Sequence, residues 1–389
     1  SANCAAWLRL PFRHPPLCDS SRPPAPQPTG TAHSPEHGQN SGYWPVTGQL
    51  GAQPPVEALP SVFVTTPTAA SPTSALAADE GRPAADGLAR PFDFDARYGA
   101  GATRGLVLGG GGIFFIAWQV AYLRELEARG LDLSEADIVV GTSAGSVVAG
   151  LLTGRRLRWF STQLELLSKA PGLMSALAPA SDLNPSQQRA LNLFSGATDN
   201  RPETIHAIGY AALAADAAPA GKMRRSVAAA LALRGWPSQA LHISTVDTYT
   251  GERLILTAAA GIPATHAAAA SSAVPGLFSP QPIKGRKCMD GGVSGSGTHA
   301  DIVSGAGKAL ILALGALTQM PVATMTIQPT SMAKEVAALA ANGTPALLRG
   351  PEPTDVSKLM SPAAVPEAIA MGRRQAAEQI GELLAFWHG

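Results

Sequence analysis

The segment Gly141-Thr142-Ser143-Ala144-Gly145 contains the residue types that most directly suggest chemistry. It fits the pattern G-x-S-x-G and lies between a predicted strand and a predicted helix. In this setting the serine occupies a strained turn at a helix N-terminus, where its hydroxyl is exposed and developing negative charge is favoured. Ser143 is therefore the candidate nucleophile. A tight turn with a capping serine is the alternative interpretation of the same pattern.

Four consecutive glycines, Gly109 to Gly112, stand at a second predicted strand-to-helix junction. Because glycines carry no side chains, several backbone N–H groups can converge there on one point, which suits an oxyanion or a phosphate. The dinucleotide fingerprint G-x-G-x-x-G fails at Phe114, and no G-K-[ST] follows. The segment predicts an anion-binding loop outside the nucleotide-binding classes, with a purely structural loop as the alternative.

Asp290 is the third candidate because it ends the strand-like run Lys287 to Met289 and precedes two glycines. A carboxylate at a strand end can reach a serine at the end of a neighbouring strand. A Ser–Asp–His triad completed by His299 or His388 is an alternative, since this order occurs in the α/β-hydrolases. The two glycines after Asp290 favour a serine–aspartate dyad, and His299 is then expected to be structural.

The elements that must position these residues form two predicted βα units. Gly105 to Leu108 predicts a strand, and the apolar spacing from Ile116 to Leu126 predicts a helix. Ile138 to Val140 predicts the next strand, and small residues over 146–152 predict the next helix. Two such units within about 50 residues indicate a parallel sheet with helices on its faces.

The rest of the chain extends this α/β arrangement. Residues 155–235 predict a mainly helical insertion, which we interpret as a cap. Leu241 to Val246 and Arg253 to Leu256 flank a Tyr-Thr-Gly turn and predict a hairpin. Lys308 to Leu314 predicts a strand buried on both faces, and Pro366 opens a final helix.

Two further sets of polar residues are expected to have structural roles. Asp247 in the hairpin turn and Asp301 are predicted to be turn and cap residues. A basic and aromatic cluster at the start of the cap predicts a solvated helix face with its aromatic rings turned inward, and a membrane anchor is the alternative. The cluster consists of Arg155, Arg156, Arg158, Trp159 and Phe160.

The first 100 residues differ from the rest in composition. They contain proline-rich stretches such as RPPAPQP and AQPPVEALP, with no strand or helix periodicity longer than Ser61–Thr65. Such a segment buries too little apolar area to offset its ordering entropy, so residues 1–100 are predicted to be disordered. The folded domain is then expected to span 101–389.

Overall composition excludes several classes of function. Charged residues make up 15% of the chain and the net charge is +1, so a dedicated nucleic-acid binder is not expected. Three cysteines are too few for a disulfide scaffold or a zinc site and fit a reducing, cytoplasmic location. The longest apolar run, Leu106 to Leu123, is interrupted by glycines and Gln119, so no membrane span is expected, although peripheral membrane contact remains open.

Taken together, these motifs resemble the patatin-like phospholipases in the form common among bacterial proteins. The glycine loop, Gly-Thr-Ser-Ala-Gly and Asp-Gly-Gly occur in that family's order and spacing. The resemblance covers about 105 to 389 and extends through TVDTYTGERLIL, AAAASSAVPGLFSP and DGGVSGSGTHADIVSGAGKALIL. It implies a three-layer α/β/α sandwich with a mainly parallel sheet.

The resemblance also implies a function, the hydrolysis of lipid or other acyl esters by a Ser–Asp dyad without a metal or organic cofactor. On this chain it implies Ser143 as nucleophile and Asp290 as its base. Gly110, Gly111 and Gly112 are then the source of the oxyanion donors.

One departure from the family pattern leaves a second function open. The family usually continues its glycines with x-Arg/Lys-Gly, whereas this chain has Ile113-Phe114-Phe115. A catalytically weakened homologue that binds lipid or a protein is therefore the alternative function. Phe114, Phe115 and Trp118 are expected in the core, with an acyl pocket as the alternative position.

Overall fold

The computed structural model describes residues 86–169, 183–314 and 331–389, all within the compact unit Ala69–Gly389. These residues form one eight-stranded sheet flanked by helices. The strands are β1 (Arg104–Leu108), β2 (Ile138–Gly141), β3 (Leu241–Asp247), β4 (Arg253–Leu256), β5 (Gln281–Ile283), β6 (Arg286–Asp290), β7 (Lys308–Leu312) and β8 (Ala346–Arg349).

The helices occupy both the faces of the sheet and the predicted cap. They are α1 (Gly112–Ala128), α2 (Ala144–Thr153), α3 (Leu157–Ser168), α4 (Pro185–Ser195), α5 (Pro202–Ala214), α6 (Ala220–Leu231), α7 (Ala264–Ser271), α8 (Ser331–Ala341) and α9 (Val365–His388). Within the described part of the chain, no helix is both long and apolar enough to cross a membrane.

The sheet is parallel at its centre and antiparallel at one edge. Its strand order is β5-β6-β3-β2-β1-β7-β8, with β4 paired to β3 away from this path. The pairs among β3, β2, β1, β7 and β8 are parallel, and those of β3 with β4 and β6 and of β5 with β6 are antiparallel. This arrangement confirms the predicted α/β/α fold class with a mainly parallel sheet.

The alternating side chains of the central strands divide the core between the two faces. Leu106 and Leu108 of β1 join a large cluster with α1, α2 and α9. Val107 points into a smaller cluster with residues 300–303 and α8. Helices cover both faces, which explains why β1 and β7 are apolar at successive positions.

Helices α1 and α9 pack so closely that α9 requires a glycine at the point of contact. A Cβ at Gly372 of α9 would lie 2.6 Å from the backbone oxygen of Trp118 in α1. At the same contact between α1 and α9, Trp118 Nε1 donates a hydrogen bond to Gln375 Oε1 over 2.6 Å. The start of α1, which carries the glycine loop, is therefore held against a long rigid helix.

Several sequence predictions are confirmed. β3 and β4 form the predicted hairpin, with Ile243 opposite Leu256. The helix predicted over 146–152 is α2, the strand predicted from Lys308 is β7, and the final helix is α9. The described part of 155–235 contains helices α3 to α6, and residues 170–182 lie outside the described residues.

The structure differs from the predicted boundary at residue 100. Residues 86–100, here called the N-terminal segment, contact the domain: Ala89 bridges Leu254, and the Gly99 N–H donates to the Ser304 carbonyl over 2.8 Å. Arg286 also pairs with Asp86. Backbone hydrogen bonds and ion pairs hold this segment together with Leu88, Phe94 and Tyr98, which pack against the core at irregular spacing. The prediction of disorder for residues 1–85 falls on residues that are not described.

Candidate active site

Ser143 lies in the turn between β2 and α2. Its backbone has φ 51° and ψ −120°, a left-handed conformation that is strained for a residue with a side chain. Its N–H donates to Ser271 Oγ over 2.9 Å. Its carbonyl accepts from Ser146 Oγ at 2.6 Å and from Ser272 Oγ at 3.0 Å. Three serine hydroxyls thus hold the backbone of Ser143 in this conformation.

The glycines around Ser143 permit close approaches that no larger residue allows. A Cβ at Gly145 would lie 1.9 Å from the Leu108 carbonyl oxygen, and one at Gly141 would lie 2.6 Å from Ser146 Cα. The turn can therefore pass directly against β1 and the start of α2 only with glycine at both positions. This contact is the physical reason for the G-x-S-x-G spacing.

Asp290 ends β6, where it is paired with Thr245 of β3, and its N–H donates to the Ala273 carbonyl over 3.0 Å. The side chain is fully buried. Its Oδ1 accepts from the Gly292 N–H at 2.9 Å, whereas Oδ2 has no hydrogen-bond partner of normal geometry. Burial raises the pKa of Asp290 from its ordinary 3.8 to about 7, and the Ser143 hydroxyl and the Gly292 N–H offset part of this rise.

Sequence-distant Ser143 and Asp290 are brought together because residues 271–273 contact both. Ser271 and Ser272 hydrogen-bond the Ser143 backbone, and the Ala273 carbonyl accepts from the Asp290 N–H. The sequence analysis did not assign a role to these residues. Their signal was present in the stretch AAAASSAVPGLFSP, where two adjacent serines end an alanine-rich helix.

The glycine loop lies directly beside Ser143. A Cβ at Gly110 would come within 3.1 Å of Ser143 Cβ. The Gly110 N–H, however, donates to the Gly297 carbonyl over 3.1 Å and so already has an acceptor. Among the described residues, the N–H groups of Gly111 and Gly112 donate to no acceptor. Of the three glycines predicted to supply oxyanion donors, these two have free N–H groups.

Gln119 is a second residue that sequence analysis missed. Its side chain is buried in α1, and its Nε2 donates to the Gly109 carbonyl over 3.0 Å. A lone glutamine in an otherwise apolar helix was the available signal, because a buried amide needs partners. Gln119 therefore ties the start of the glycine loop to the helix that follows it.

An apolar cavity of about 350 Å³ opens beside Ser143. Its wall includes the first turns of α1, the cap helices α3 and α6, and residues near Val274 and Met360. The apolar side chains that line it include Ile113, Ile116, Phe160, Leu164, Met223 and Val227. The cavity is large and apolar enough to receive a hydrocarbon chain.

The aromatic residues after the glycine loop do not line this cavity. Phe114, Phe115 and Trp118 are fully buried, and the Phe115 and Trp118 rings stack with centroids 5.4 Å apart. Their neighbours Ile113 and Ile116 line the cavity instead. The expected core position of the three aromatic residues is thus the one observed.

His299 does not contact the Ser143 and Asp290 side chains. Its Nε2 lies 3.2 Å from the Gly291 carbonyl oxygen and its Nδ1 lies 3.3 Å from Arg253 Nη1. Burial, followed by the charge of Arg253, lowers the pKa of His299 well below its usual range. His388 is exposed at the end of α9. Neither histidine has the geometry of a triad member in this structure.

Asp247 and Asp301 have larger structural roles than predicted. Asp247 Oδ1 accepts from the Tyr249 N–H at 2.8 Å, as expected in a turn, and Oδ2 also accepts from Arg286 at 3.1 Å. Asp301 forms a two-point ion pair with Arg253 at 2.6 and 2.7 Å. Both carboxylates therefore belong to buried ion pairs as well as to local turns.

The basic and aromatic cluster of the cap only partly follows its prediction. Phe160 turns towards the cavity, but Trp159 is 41% exposed, together with Arg156 and Arg158. The amphipathic helix α3 has its apolar stripe at Phe160 and Leu164, about 100° around the axis from Trp159. Trp159 therefore lies outside the buried face.

Comparisons with known proteins identify the family of the chain. A family model described as patatin-like phospholipase matches residues 106–303, slightly more than half of the chain. Among solved structures, VipD from Legionella pneumophila is similar at 13% identity over 72% of this chain and 67% of that chain, with a TM-score of 0.33. The type III effector protein ExoU is similar at 18% identity over 70% of this chain and 53% of that chain, with a TM-score of 0.26.

The present chain thus spans about half of the length of ExoU. A search among curated proteins finds no significant match. The matched residues 106–303 include the glycine loop, the serine turn and the aspartate at the end of β6. The chain therefore belongs to the patatin-like phospholipase family, a family of lipid hydrolases.

Proposed function

We propose that this protein is a serine acyl hydrolase that cleaves lipid acyl esters, with Ser143 as nucleophile and Asp290 as general base. The observation that carries the proposal is the state of Asp290. Its Oδ2 is buried without a partner of normal geometry, and the Ser143 hydroxyl is the side-chain group that acts on its pKa. A buried polar atom left unpaired in this way is costly, and such atoms concentrate where chemistry uses them.

The reaction follows from the chemistry of the two side chains. Ser143 Oγ attacks the ester carbonyl carbon while Asp290 accepts the hydroxyl proton. The tetrahedral intermediate collapses, the alcohol leaves with a proton from Asp290, and an acyl ester on Ser143 remains. Asp290 then deprotonates a water molecule that attacks this ester. The second tetrahedral intermediate collapses, Asp290 returns the proton to Ser143 Oγ, and the fatty acid is released. A pKa near 7 suits a group that must both accept and return a proton at neutral pH.

The oxyanion is assigned to the N–H groups of Gly111 and Gly112, at the N-terminus of α1. These groups have no acceptor among the described residues, unlike the N–H of Gly110. The N-terminal end of α2, at Ser143, adds its own favourable field for negative charge. Preorganised donors of this kind typically supply about 10²–10³-fold in rate each.

The cavity beside Ser143 supports a substrate with an apolar acyl chain. Ile113, Leu164 and Val227 are among the side chains that would contact the chain, and burial of each methylene contributes about 0.8 kcal/mol. The alcohol portion of the ester would lie outside this cavity. A lipid is thus the proposed substrate and partner, with the protein acting in the cytoplasm at the periphery of a membrane.

The alternative of a weakened lipid- or protein-binding homologue rests on the missing basic residue and glycine after the loop. Phe114 and Phe115 were the reason to expect a displaced loop. Because both rings are fully buried in the core and Gly110 of the loop still lies against Ser143, the packing favours an active hydrolase.

The test is turnover of a soluble medium-chain nitrophenyl ester together with covalent labelling by a fluorophosphonate. We expect the wild type to hydrolyse the ester and to be labelled, and Ser143→Ala to lose both activities by at least ~10³-fold. Ser226→Ala is the matched control, because Ser226 lines the same cavity but lies on α6, away from the glycine loop. Labelling that persists in Ser143→Ala and disappears in Ser226→Ala would reassign the nucleophile.

A further inference from the structure

The two cap helices that flank the cavity, together with the residues next to them, carry a local excess of positive charge. Residues 155–169 and 220–234 contain eight Arg or Lys residues and one acidic residue, whereas the whole chain has 29 basic and 28 acidic residues. The positive charge is therefore concentrated on α3, α6 and the residues directly before and after them.

Most of these basic side chains have no counter-ion. Arg155 pairs with Asp132. In contrast, the other seven form no ion pair with any described residue, and the field of unpaired surface cations extends into solvent. Five of the seven lie on α3 or α6 or directly before α3. These five are Arg156, Arg158, Lys222, Arg224 and Arg225.

The same two helices form walls of the cavity that opens at Ser143. Phe160 and Leu164 of α3 line it, as do Met223 and Val227 of α6. Lys222, Arg224 and Arg225 lie within two positions of Met223, Arg158 lies two positions before Phe160, and Arg156 lies about one helical turn before Phe160. The charges are therefore on the two helices that form walls of the cavity. An acyl chain that reaches Ser143 must pass between these helices or beside them.

Helix α3 also exposes two large apolar side chains. Trp159 is 41% exposed and Leu166 is 65% exposed, and their spacing of seven residues places them on one side of the helix. Isolated exposed apolar side chains are common. Here an indole and an isobutyl group stand beside unpaired arginines, which is the composition of surfaces that lie in a lipid interface.

We propose that α3 and α6 form a docking surface for an anionic lipid bilayer, with Trp159 and Leu166 entering the interface and the five unpaired basic residues facing the lipid phosphates. The proposal rests on the proposed function, because it explains how a lipid substrate reaches the cavity without first dissolving in water. Docking in this orientation sets the cavity against the bilayer from which the acyl chain is drawn.

The exposed apolar residues favour a lipid bilayer over an acidic protein as the partner of this surface. The positive charges favour anionic over zwitterionic membranes. Each basic residue close to an anionic membrane contributes about a fivefold increase in binding, which salt screens. A zwitterionic membrane offers only the apolar contribution of Trp159 and Leu166. Binding should therefore depend strongly on anionic lipid and fall at high ionic strength.

The experiment measures cosedimentation of full-length Ser143→Ala protein with vesicles, so that hydrolysis cannot change the lipid. Vesicles of phosphatidylcholine alone are compared with equimolar phosphatidylcholine and phosphatidylglycerol. We expect binding to the anionic vesicles only, with a loss of more than ~10-fold for Arg156→Gln/Arg158→Gln and a smaller loss for Leu166→Ala. Thermal midpoints of the variants show that they are folded.

Arg124→Gln/Arg129→Gln is the matched control for charge. It removes two positive charges towards the far end of α1, ~18 and ~26 Å along the helix from the glycine loop, and should leave vesicle binding nearly unchanged. Equal losses in the two double variants would show that binding follows net charge alone, and the proposed surface would be wrong.

Two other outcomes also overturn the proposal. Absence of binding to anionic vesicles at low salt would do so directly. Soluble polyglutamate that binds as tightly as the vesicles, with no effect of Leu166→Ala on either, would identify a site for an acidic protein instead. Hydrolysis of the soluble ester by the wild type reports separately on the proposed function, so either idea can fail while the other stands.

Discussion

Asp290 and Asp301 are two buried carboxylates in the same part of the chain, and their surroundings are opposite. Asp301 is held at both oxygens by the Arg253 guanidinium and also accepts from the Asp93 N–H. Among the described residues, Asp290 faces no cation, and one of its oxygens has no partner of normal geometry. Burial raises the pKa of both carboxyls, and only at Asp301 does a positive charge oppose the rise.

The difference separates a structural carboxylate from a reactive one. A buried ion pair with full hydrogen bonding keeps its charge but can do no proton transfer without breaking the pair. A buried carboxyl without a counter-ion is costly to ionise, so its pKa lies near neutrality and it can exchange protons. Sequence alone shows two aspartates that each follow apolar residues, and does not show which one receives an arginine.

The largest expected effects come from replacing each aspartate by asparagine. Asp290→Asn should lower ester hydrolysis by at least ~10³-fold, because it removes the base while keeping the shape and the acceptor for Gly292 N–H. Asp301→Asn should instead lower the free energy of unfolding by about 3–5 kcal/mol, because it leaves the buried Arg253 charge without its partner.

The measurement combines kcat/KM of the folded fraction with chemical denaturation for both variants. Activity per folded molecule should survive in Asp301→Asn. If Asp290→Asn unfolds the protein and Asp301→Asn abolishes turnover of a folded enzyme, the two roles are reversed. A rate loss for His299→Ala as large as that of Asp290→Asn would move the enzyme to the triad class.

Motifs with a steric or periodic cause could be predicted from the sequence. The G-x-S-x-G turn requires glycine where a Cβ would meet Leu108 or Ser146, and this need is local to a strand, a turn and a helix. The β3–β4 hairpin and the strand β7 follow from short apolar runs and turn residues. For these elements local residue preference and tertiary structure agree.

Features that depend on long-range contacts could not be predicted. The N-terminal segment has no regular apolar period. Hydrogen bonds to Arg253, an ion pair between Asp86 and Arg286, and the irregularly spaced Leu88, Phe94 and Tyr98 hold it. The occupied N–H of Gly110 depends on Gly297, far along the chain. The exposure of Trp159 depends on which side of α3 meets the core, which its residue type does not decide.

The raised pKa of Asp290 predicts a pH dependence of hydrolysis that distinguishes Asp290 from Asp301. Because a base must be unprotonated, kcat/KM should rise with pH and level off above about 7, falling about tenfold for each pH unit below that value. Asp301→Asn should keep this profile, since Asp301 is not the base. A profile of the wild type that is flat between about pH 5 and about pH 8 would exclude Asp290 as the titrating base.

The same pKa has a consequence for stability, with a defined sign. The native state keeps a proton on Asp290 up to about pH 7, whereas the unfolded chain loses it near its ordinary 3.8. The free energy of unfolding should therefore fall as pH rises between these values, by at most ~4 kcal/mol. Denaturation across this range should show Asp290→Asn gaining stability over the wild type as pH rises. A gain that is constant with pH would mean that Asp290 does not titrate on folding.

A further expected effect comes from shortening the chain on the Asp301 side of the comparison. Arg253 donates to the carbonyls of Arg90 at 2.9 Å and Pro91 at 2.6 Å, so the N-terminal segment completes the buried ion pair. Deletion of residues 1–100 removes these two hydrogen bonds and also the Asp86–Arg286 pair and the apolar contacts of Phe94 and Tyr98. It should lower the free energy of unfolding by at least about 3 kcal/mol, ~1.5 kcal/mol for each hydrogen bond to Arg253.

Deletion of residues 1–85 is the matched control, because it removes the proline-rich stretch and keeps every contact of the N-terminal segment described above. Its thermal midpoint and ester hydrolysis should equal those of the full chain. Hydrolysis at moderate temperature should also survive the longer deletion, because no contact of Ser143, Asp290 or the glycine loop comes from residues 86–100. If the longer deletion left the midpoint unchanged, water would replace the Arg90 and Pro91 carbonyls at Arg253 without cost. The Arg253–Asp301 pair would then be stable by itself, and the contrast with Asp290 would depend on the guanidinium alone.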